Sequence, residues 1–324
     1  MMHPQARLVV VLICLFLHAP LPSLAASAKR CLFVSSYHAG YVWNDDIERA
    51  LGDTLGDACE IKKFYMDGKR DGSPDFARQK AIEARALIDS WKPDVVIAAD
   101  DNASKYLVMP HLKDAAVPVV FCGINWTAEP YGYPYANATG MIEIGPIDPL
   151  VGQVLAMVPE ARQGIFLSAD ELTQTKEVDL SQKAYGRHGV TIRHMPVPSM
   201  SDWEKGYVAA QEQADFVILG NNSGINDWDD ERARKWVLTT AKKFTVSYLD
   251  WMAPYAMLTM AKIAYEQGEW AGKTALLILQ GAKPTDIPIV ANRRWNMFVN
   301  PALLARGGFV LPSEIMRKAV KVGQ

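Results

Sequence analysis

Six short segments carry most of the polar and aromatic side chains that could hold a small molecule. They are residues 35–43, 100–104, 123–126, 168–171, 220–223 and 248–251, each following a short apolar run. They offer Asn, Ser, Asp and aromatic residues, and none contains Arg or Lys. Amides and hydroxyls supply oriented hydrogen bonds, and aromatic rings supply flat apolar contact, the usual make-up of a small-ligand pocket. Phosphate ligands generally recruit Arg or Lys. Asp100, Asp101 and Asp250 point instead to a neutral polyhydroxyl or amine-bearing ligand without phosphate. Trp43 and Trp126 could stack on it, or pack at a lobe surface or hinge. Asp100-Asp101-Asn102 could serve the ligand or cap the next helix. Asn221 and Asn222 could bind or hold a turn. Glu143 could form a hinge salt bridge.

Catalytic and metal signatures are poor. No G-x-S-x-G elbow, P-loop, G-x-G-x-x-G or H-E-x-x-H occurs. His38, His111, His188 and His194 lack close pairing, so neither a metal site nor a cofactor is expected. Cys122 has no base partner at a readable spacing. The expectation is a binding protein, not an enzyme.

The elements that must position these segments alternate. Strands are expected at 31–36, 60–66, 94–99, 117–121 and 138–144, with helices at 44–56, 75–91 and 101–113 between them. The pattern resumes with strands at 163–168, 190–196, 215–219 and 244–247, and helices at 170–185, 201–213 and 228–242. Strand and helix in alternation mean an α/β fold with parallel sheets, whose ligands sit beyond the strands' carboxyl ends. Gly145-Pro146 marks a boundary, so two similar lobes with a cleft between them are expected. Residues 248–254 read as a second crossing. Two helical stretches at 255–267 and 269–281, separated by Gly268, a strand at 295–299 and a helical tail follow. These boundaries assign 29–145 plus 251–285 to lobe 1, and 146–250 plus 286–324 to lobe 2.

The 324 residues are 49% hydrophobic and 22% charged, ordinary globular composition for two domains. A net charge of −2 without a basic block argues against nucleic acid or an anionic membrane as partner. Residues 1–28 have the layout of a secretory signal: a positive start through Arg7, an apolar run at 8–17, and Ala25-Ala26-Ser27-Ala28. Cleavage is expected after Ala28 or a residue or three earlier, releasing a soluble periplasmic protein; the alternative is an uncleaved anchor. Without Arg7, 33 basic residues face 36 acidic ones, a mature charge of −3. Cys31 and Cys59 open neighbouring strands and could form a disulfide in an oxidising compartment, though two buried thiols are the preferred reading.

The segment Ser-Ser-Tyr-His-Ala-Gly-Tyr-Val-Trp-Asn-Asp-Asp at 35–46, Lys-Pro-Asp-Val-Val-Ile-Ala-Ala-Asp-Asp-Asn-Ala at 92–103, Val-Pro-Val-Val-Phe-Cys-Gly-Ile-Asn at 117–125, and residues 272–288 and 300–312 carry a resemblance. Their order resembles the ABC-transporter substrate-binding family of the type I periplasmic-binding-protein fold, the group with tryptophan- and tyrosine-binding members. The opening segment is similar to a branch found as extracytoplasmic sensor domains. The resemblance implies two Rossmann-like lobes, three hinge crossings and ligand-driven closure. It places Ser36, Tyr37, Asp101, Asn102 and Asn125 on lobe 1, with Asn221, Asn222 and Asp250 closing from lobe 2 and the hinge. The pocket does not match the aromatic-amino-acid members, so tryptophan is not inferred. The function implied is solute capture for an ABC permease. The alternative is a sensory receptor for a separate membrane kinase or cyclase. An exported enzyme using Asp101 or Cys122 is the least favoured reading.

Overall fold

The computed structural model describes residues 29–323. The expected signal segment, 1–28, lies outside them. The first lobe opens with β1 (Lys29–Ser35), whose Cys31–Val34 core is fully buried. Helix α1 (Val42–Leu55) leads to β2 (Cys59–Tyr65), α2 (Pro74–Trp91) to β3 (Val95–Ala99). Ser73 caps α2 by accepting from Phe76 N, and Pro74 sits in the first turn, where no amide hydrogen is needed. A short α3 (Asp100–Asn102) runs into a π-helix (Ala103–Leu112), then β4 (Val119–Asn125) and β5 (Ala138–Glu143) follow.

The second lobe repeats the pattern. It contains α4 (Ile147–Met157), β6 (Gln163–Ala169), α5 (Leu172–Gly186), β7 (Thr191–Val197), α6 (Met200–Gln213), β8 (Phe216–Leu219), α7 (Asp230–Thr240), β9 (Phe244–Ser247) and β10 (Leu258–Lys262). Helix α8 (Ala264–Leu279) and β11 (Val290–Ala291) return to the first lobe; β12 (Trp295–Val299), α9 (Pro301–Gly307), α10 (Ser313–Lys318) and β13 (Val320–Lys321) finish in the second.

The sheets are ordered β11-β5-β4-β3-β1-β2 and β13-β12-β10-β9-β8-β6-β7. In both, the second strand lies outside the first and the third to fifth follow on its other side. Every pairing between named strands is parallel except β10 with β12, so the carboxyl ends of the main strands emerge together on one edge of each sheet. Alternate residues of the first sheet serve different cores. Leu32, Val34, Val96 and Phe121 face one apolar cluster, whereas Cys31, Phe33, Val95 and Val120 face another with α1 and α8. The second lobe has a core of its own, centred on residues such as Phe166, Trp203, Phe216 and Val246.

Three expectations are corrected. Residues 258–262, expected in a helix of lobe 1, form β10 in the second sheet between β9 and β12. Four of the five β10 residues are buried, and a central strand position outweighs the local helical pattern. The chain therefore returns to the first lobe at Ile263, after β10, rather than near 251. Likewise 290–291, assigned to lobe 2, pair with β5 in the first sheet. Gly268 does not end a helix but lies inside α8, where an added Cβ would stand 2.2 Å from Ile47 O. It lets α8 press against α1.

Cys31 and Cys59 are joined in a disulfide, with Cα atoms 5.9 Å apart, contrary to the preferred reading of two thiols. Adjacent parallel strands bring them together, because Cys59 lies opposite Lys29, two residues from Cys31. Replacing both by Ala should lower the unfolding free energy by about 2–4 kcal/mol in urea titrations; an unchanged midpoint would contradict a stabilising bridge. Gly268→Ala should cost about 1–3 kcal/mol by the same measurement, since backbone rather than a flexible side chain blocks the new methyl.

Candidate functional site

The site is built from the strand ends. At the end of β1, Ser36 is fully buried: its hydroxyl donates to Ala99 O (2.6 Å) and accepts from Ala103 N (2.8 Å). It ties β1 to the β3–α3 turn. Tyr37 follows. Burial first, and the fields of Asp100 and Asp101 next, push its hydroxyl far above the ordinary tyrosine range, so it stays a neutral donor. Its ring meets Tyr41 edge-on at 5.0 Å, and the exposed Lys69 ammonium lies 4.7 Å from it.

Asp100 begins α3 in the left-handed region, at φ 69°. Gly123 leaves room for it; a Cβ there would stand 2.7 Å from Asp100 Oδ1. Asp100 is buried and accepts from Trp43 Nε1 (3.2 Å) and Asn44 Nδ2 (2.9 Å). Burial, with Glu143 and then Asp101 adding repulsion, holds its carboxyl well above the usual range against the help of Asn44 and Trp43. Asp101 accepts from Asn125 Nδ2 and Tyr131 Oη, both at 2.6 Å. Asn102 packs its amide against Gly68, where a Cβ would be 2.6 Å from Nδ2. Trp126, after β4, is again left-handed, at φ 63°. Such backbone is costly for a bulky residue and concentrates at functional sites.

The lobes meet here. Trp126 Nε1 donates to Glu177 Oε1 of α5 across the cleft (3.2 Å), and Lys176 Nζ stands 3.7 Å from the Trp126 ring centroid. One face of that indole is thus covered by an ammonium. At the hinge Lys262, ending β10, pairs with Glu143, ending β5. Burial raises the Glu143 carboxyl, and Lys262 opposes the rise. Burial alone would lower Lys262, but Glu143, Glu177 and Asp100 together hold it above the usual lysine range. Burial also raises Glu177, whose Oε2 is buried without a hydrogen-bond partner. Buried Asn292, at the third crossing, accepts from Ile144 N (2.8 Å) and donates to Ile144 O (3.2 Å), fastening two crossings side by side.

The sequence-derived candidates divide. Tyr37, Trp43, Asp101, Asn125 and Trp126 come together around Asp100, Glu143 and Lys262. Ser36 and Asn102 stand at the base of the same turn. Asn221 bonds within its own turn, its Oδ1 accepting from Ser223 N (2.9 Å) and Oγ (2.7 Å). Asn222 accepts from Ile225 N through its carbonyl (2.9 Å). Asp250 is exposed and accepts from Trp251 N (2.9 Å). Lys262, Glu177 and Tyr131 were not among the candidates. Lys262 was hidden by the helical reading of its segment; as the polar end of an apolar strand it has the same form as Glu143. No local signal marks Glu177, which reaches the site from one turn inside α5. Two surface hollows, one around Glu204, Arg232 and Trp236 and one around Arg85, Asp94 and Val117, contain none of these residues. Among the described residues no group of His, Cys, Asp and Glu is arranged to hold a metal ion.

The model of one family, described as ABC transporter substrate binding protein, matches residues 47–323. The chain belongs to this family. Curated protein sequences contain no match. Solved structures of the same fold include a ligand-free, open substrate binding protein with adhesive properties from Clostridium difficile, at TM-score 0.69 and 14% identity, covering 91% of this chain and 99% of that one. An ABC domain in complex with L-Trp from Streptococcus pneumonia gives TM-score 0.57 and 17% identity, covering 91% and 100%. A periplasmic ribose ABC transporter protein from Conexibacter woesei gives 0.57 and 11%, covering 85% and 93%. The fold of this substrate-binding protein is therefore the type I periplasmic binding fold, and family and fold are those of binding proteins rather than enzymes.

In this substrate-binding protein Asp100, Glu143 and Glu177 all hold protons more tightly folded than unfolded. Their contribution to stability is present at low pH and is lost as pH rises through the range above about 4. His194, lowered by burial, acts in the opposite sense near its ordinary value. The lowered surface carboxylates, such as Asp215 and Asp230, lose stability only as pH falls below about 4. Thermal midpoints of ligand-free protein should rise from about pH 8 to about pH 5, with a shallower slope in Glu177→Gln. Parallel profiles for the two proteins would show that this carboxylate is not strained.

Proposed function

We propose that the protein is an exported solute-binding receptor that traps a small neutral or amine-bearing, non-phosphorylated ligand between its lobes and presents it to the permease of an ABC transporter. One observation carries the reading: strand ends of both sheets converge on the Glu143–Lys262 pair, with Trp126 touching Glu177 across the gap. Contacts made by both lobes at once exist only when the lobes are together, so a ligand bridging them shifts the population toward closure. Tyr37, Trp43, Asp101, Asn125 and Trp126 form the first lobe's ligand wall, supported by Ser36 and Asn102. Asn221, Asn222 and Asp250 belong to the loops that face it from the second. No cofactor takes part. Removal of residues 1–28 leaves a soluble periplasmic form.

A second reading, a sensory receptor whose closed shape is read by a membrane kinase or cyclase, draws support from the opening segment at 35–46. That segment precedes the family match, which starts at residue 47. Neighbouring genes separate the two: permease and ATPase against kinase or cyclase.

Thermal-shift screening against amino acids, sugars, nucleosides and polyamines tests ligand capture. A true ligand at one hundred times its Kd should add about 2.7 kcal/mol of stability. Asp101→Ala should abolish most of that gain, because Asn125 and Tyr131 both hang on its carboxylate. Tight binding of a phosphoester would contradict the ligand class, and undiminished binding by Asp101→Ala would remove that residue from the wall.

A further inference from the structure

Four carboxylates lie close enough in the cleft to act on one another or on Lys262: Asp100, Asp101, Glu143 and Glu177. Two ammonium groups stand among them, and a third, the exposed Lys69, lies outside the cluster against the Tyr37 ring. Lys262 is engaged by Glu143, and Lys176 is drawn out over the Trp126 ring. Fully ionised, the four carboxylates would outnumber Lys262 and Lys176 by two, and burial with this crowding holds Asp100, Glu143 and Glu177 above the usual carboxyl range. Burying unpaired charge is expensive, so these acids either keep a proton or take a counter-charge, and a bound cation supplies the second.

The acceptors are also incompletely used. Glu177 Oε2 is buried and has no donor. The Glu143 side chain is only 6% exposed, yet among the described residues one of its oxygens alone has a partner, Lys262. Both oxygens of Asp101 are taken by Asn125 and Tyr131, so this carboxylate is held still and contributes field. Trp43 already has an ammonium, that of Lys262, 5.6 Å from its ring centroid, an arrangement in which the ring attracts positive charge. A cleft with a spare buried acceptor, crowded carboxyl groups and aromatic faces is complementary to a donor-rich cation.

We propose that the ligand is an organic cation, an amine or guanidine with no carboxylate of its own; this deepens the receptor reading above and rests on it. An ammonium brings three donors and a full charge to Glu177 and Glu143. A zwitterionic amino acid would add a carboxylate where Lys262 is already engaged. A sugar would satisfy acceptors but leave the crowded carboxyl groups without a counter-charge.

The test uses wild-type protein, unfolded and refolded to strip any retained ligand, in isothermal titrations with putrescine, N-acetylputrescine, L-tryptophan and D-ribose. Putrescine should bind with salt-sensitive affinity, and N-acetylputrescine, lacking one charge, about tenfold or more weakly. Glu177→Gln should weaken putrescine by a similar factor. Circular dichroism checks that this variant folds, and the acetylated probe gives the same answer on wild type should it not. Ribose or tryptophan binding while putrescine gives no heat would overturn the cation assignment and leave the receptor reading intact. Equal, salt-sensitive affinity for the two amines would support the cation assignment with one ammonium sufficing, whereas affinity for either that is insensitive to salt would overturn it. Silence from all four probes also overturns it, while the wider screen then decides the receptor reading separately.

Discussion

The Lys262–Glu143 pair is the contact on which the arrangement of the lobes depends. Glu143 ends the last main strand of the first sheet before the chain crosses over; Lys262 ends the strand from which it crosses back. Pairing them fixes two hinge segments against each other. Asn292 fastens the third crossing to Ile144, and Glu266 of α8 accepts from the amides of Arg293 and Arg294. The crossings are thus knitted by polar groups, whereas each lobe keeps its own apolar core. Apolar packing is poorly suited to a sliding joint, because interiors pack densely and resist shear. Hydrogen bonds and an ion pair beside the axis can hold the segments while the lobes rotate.

The same pair sets the electrostatics. Lys262 is the cation that three neighbouring carboxylates share, and removing it would leave them facing one another with little to offset their repulsion. The cleft is built at some cost in stability, with buried acids held above their ordinary range and left-handed backbone at Asp100 and Trp126. These features persist because the surroundings overdetermine them: Gly123 makes space for Asp100, and Trp43 and Asn44 hold its oxygens. Strain of this kind is commonly kept where a site must be preorganised.

Trp126 joins the two themes. Its indole nitrogen reaches Glu177 in the opposite lobe and its face receives Lys176. A single side chain thus reports both the separation of the lobes and the charge between them. The neutral Tyr37 hydroxyl stands in the field of Asp100 and Asp101, on the first lobe's side of the cleft.

The sequence by itself determined the alternation of strand and helix, the polar segments at strand ends and the family resemblance. These are local properties: short apolar runs make buried parallel strands, and Pro and Ser punctuate helices such as α2. It also placed Asp101, Asn125, Trp126 and Tyr37 at or just beyond strand ends, because a parallel sheet gathers those ends on one edge. Only the tertiary structure decided which sheet residues 258–262 joined, since Leu-Thr-Met-Ala-Lys becomes a strand through its neighbours β9 and β12. Only it brought Glu177 from α5 to Trp126, and Lys262 to Glu143, over 119 positions of chain. Only it set the two-residue offset that joins Cys31 to Cys59. A charge's partner is a matter of distance in space, and one-dimensional spacing carries no measure of that across two folded lobes.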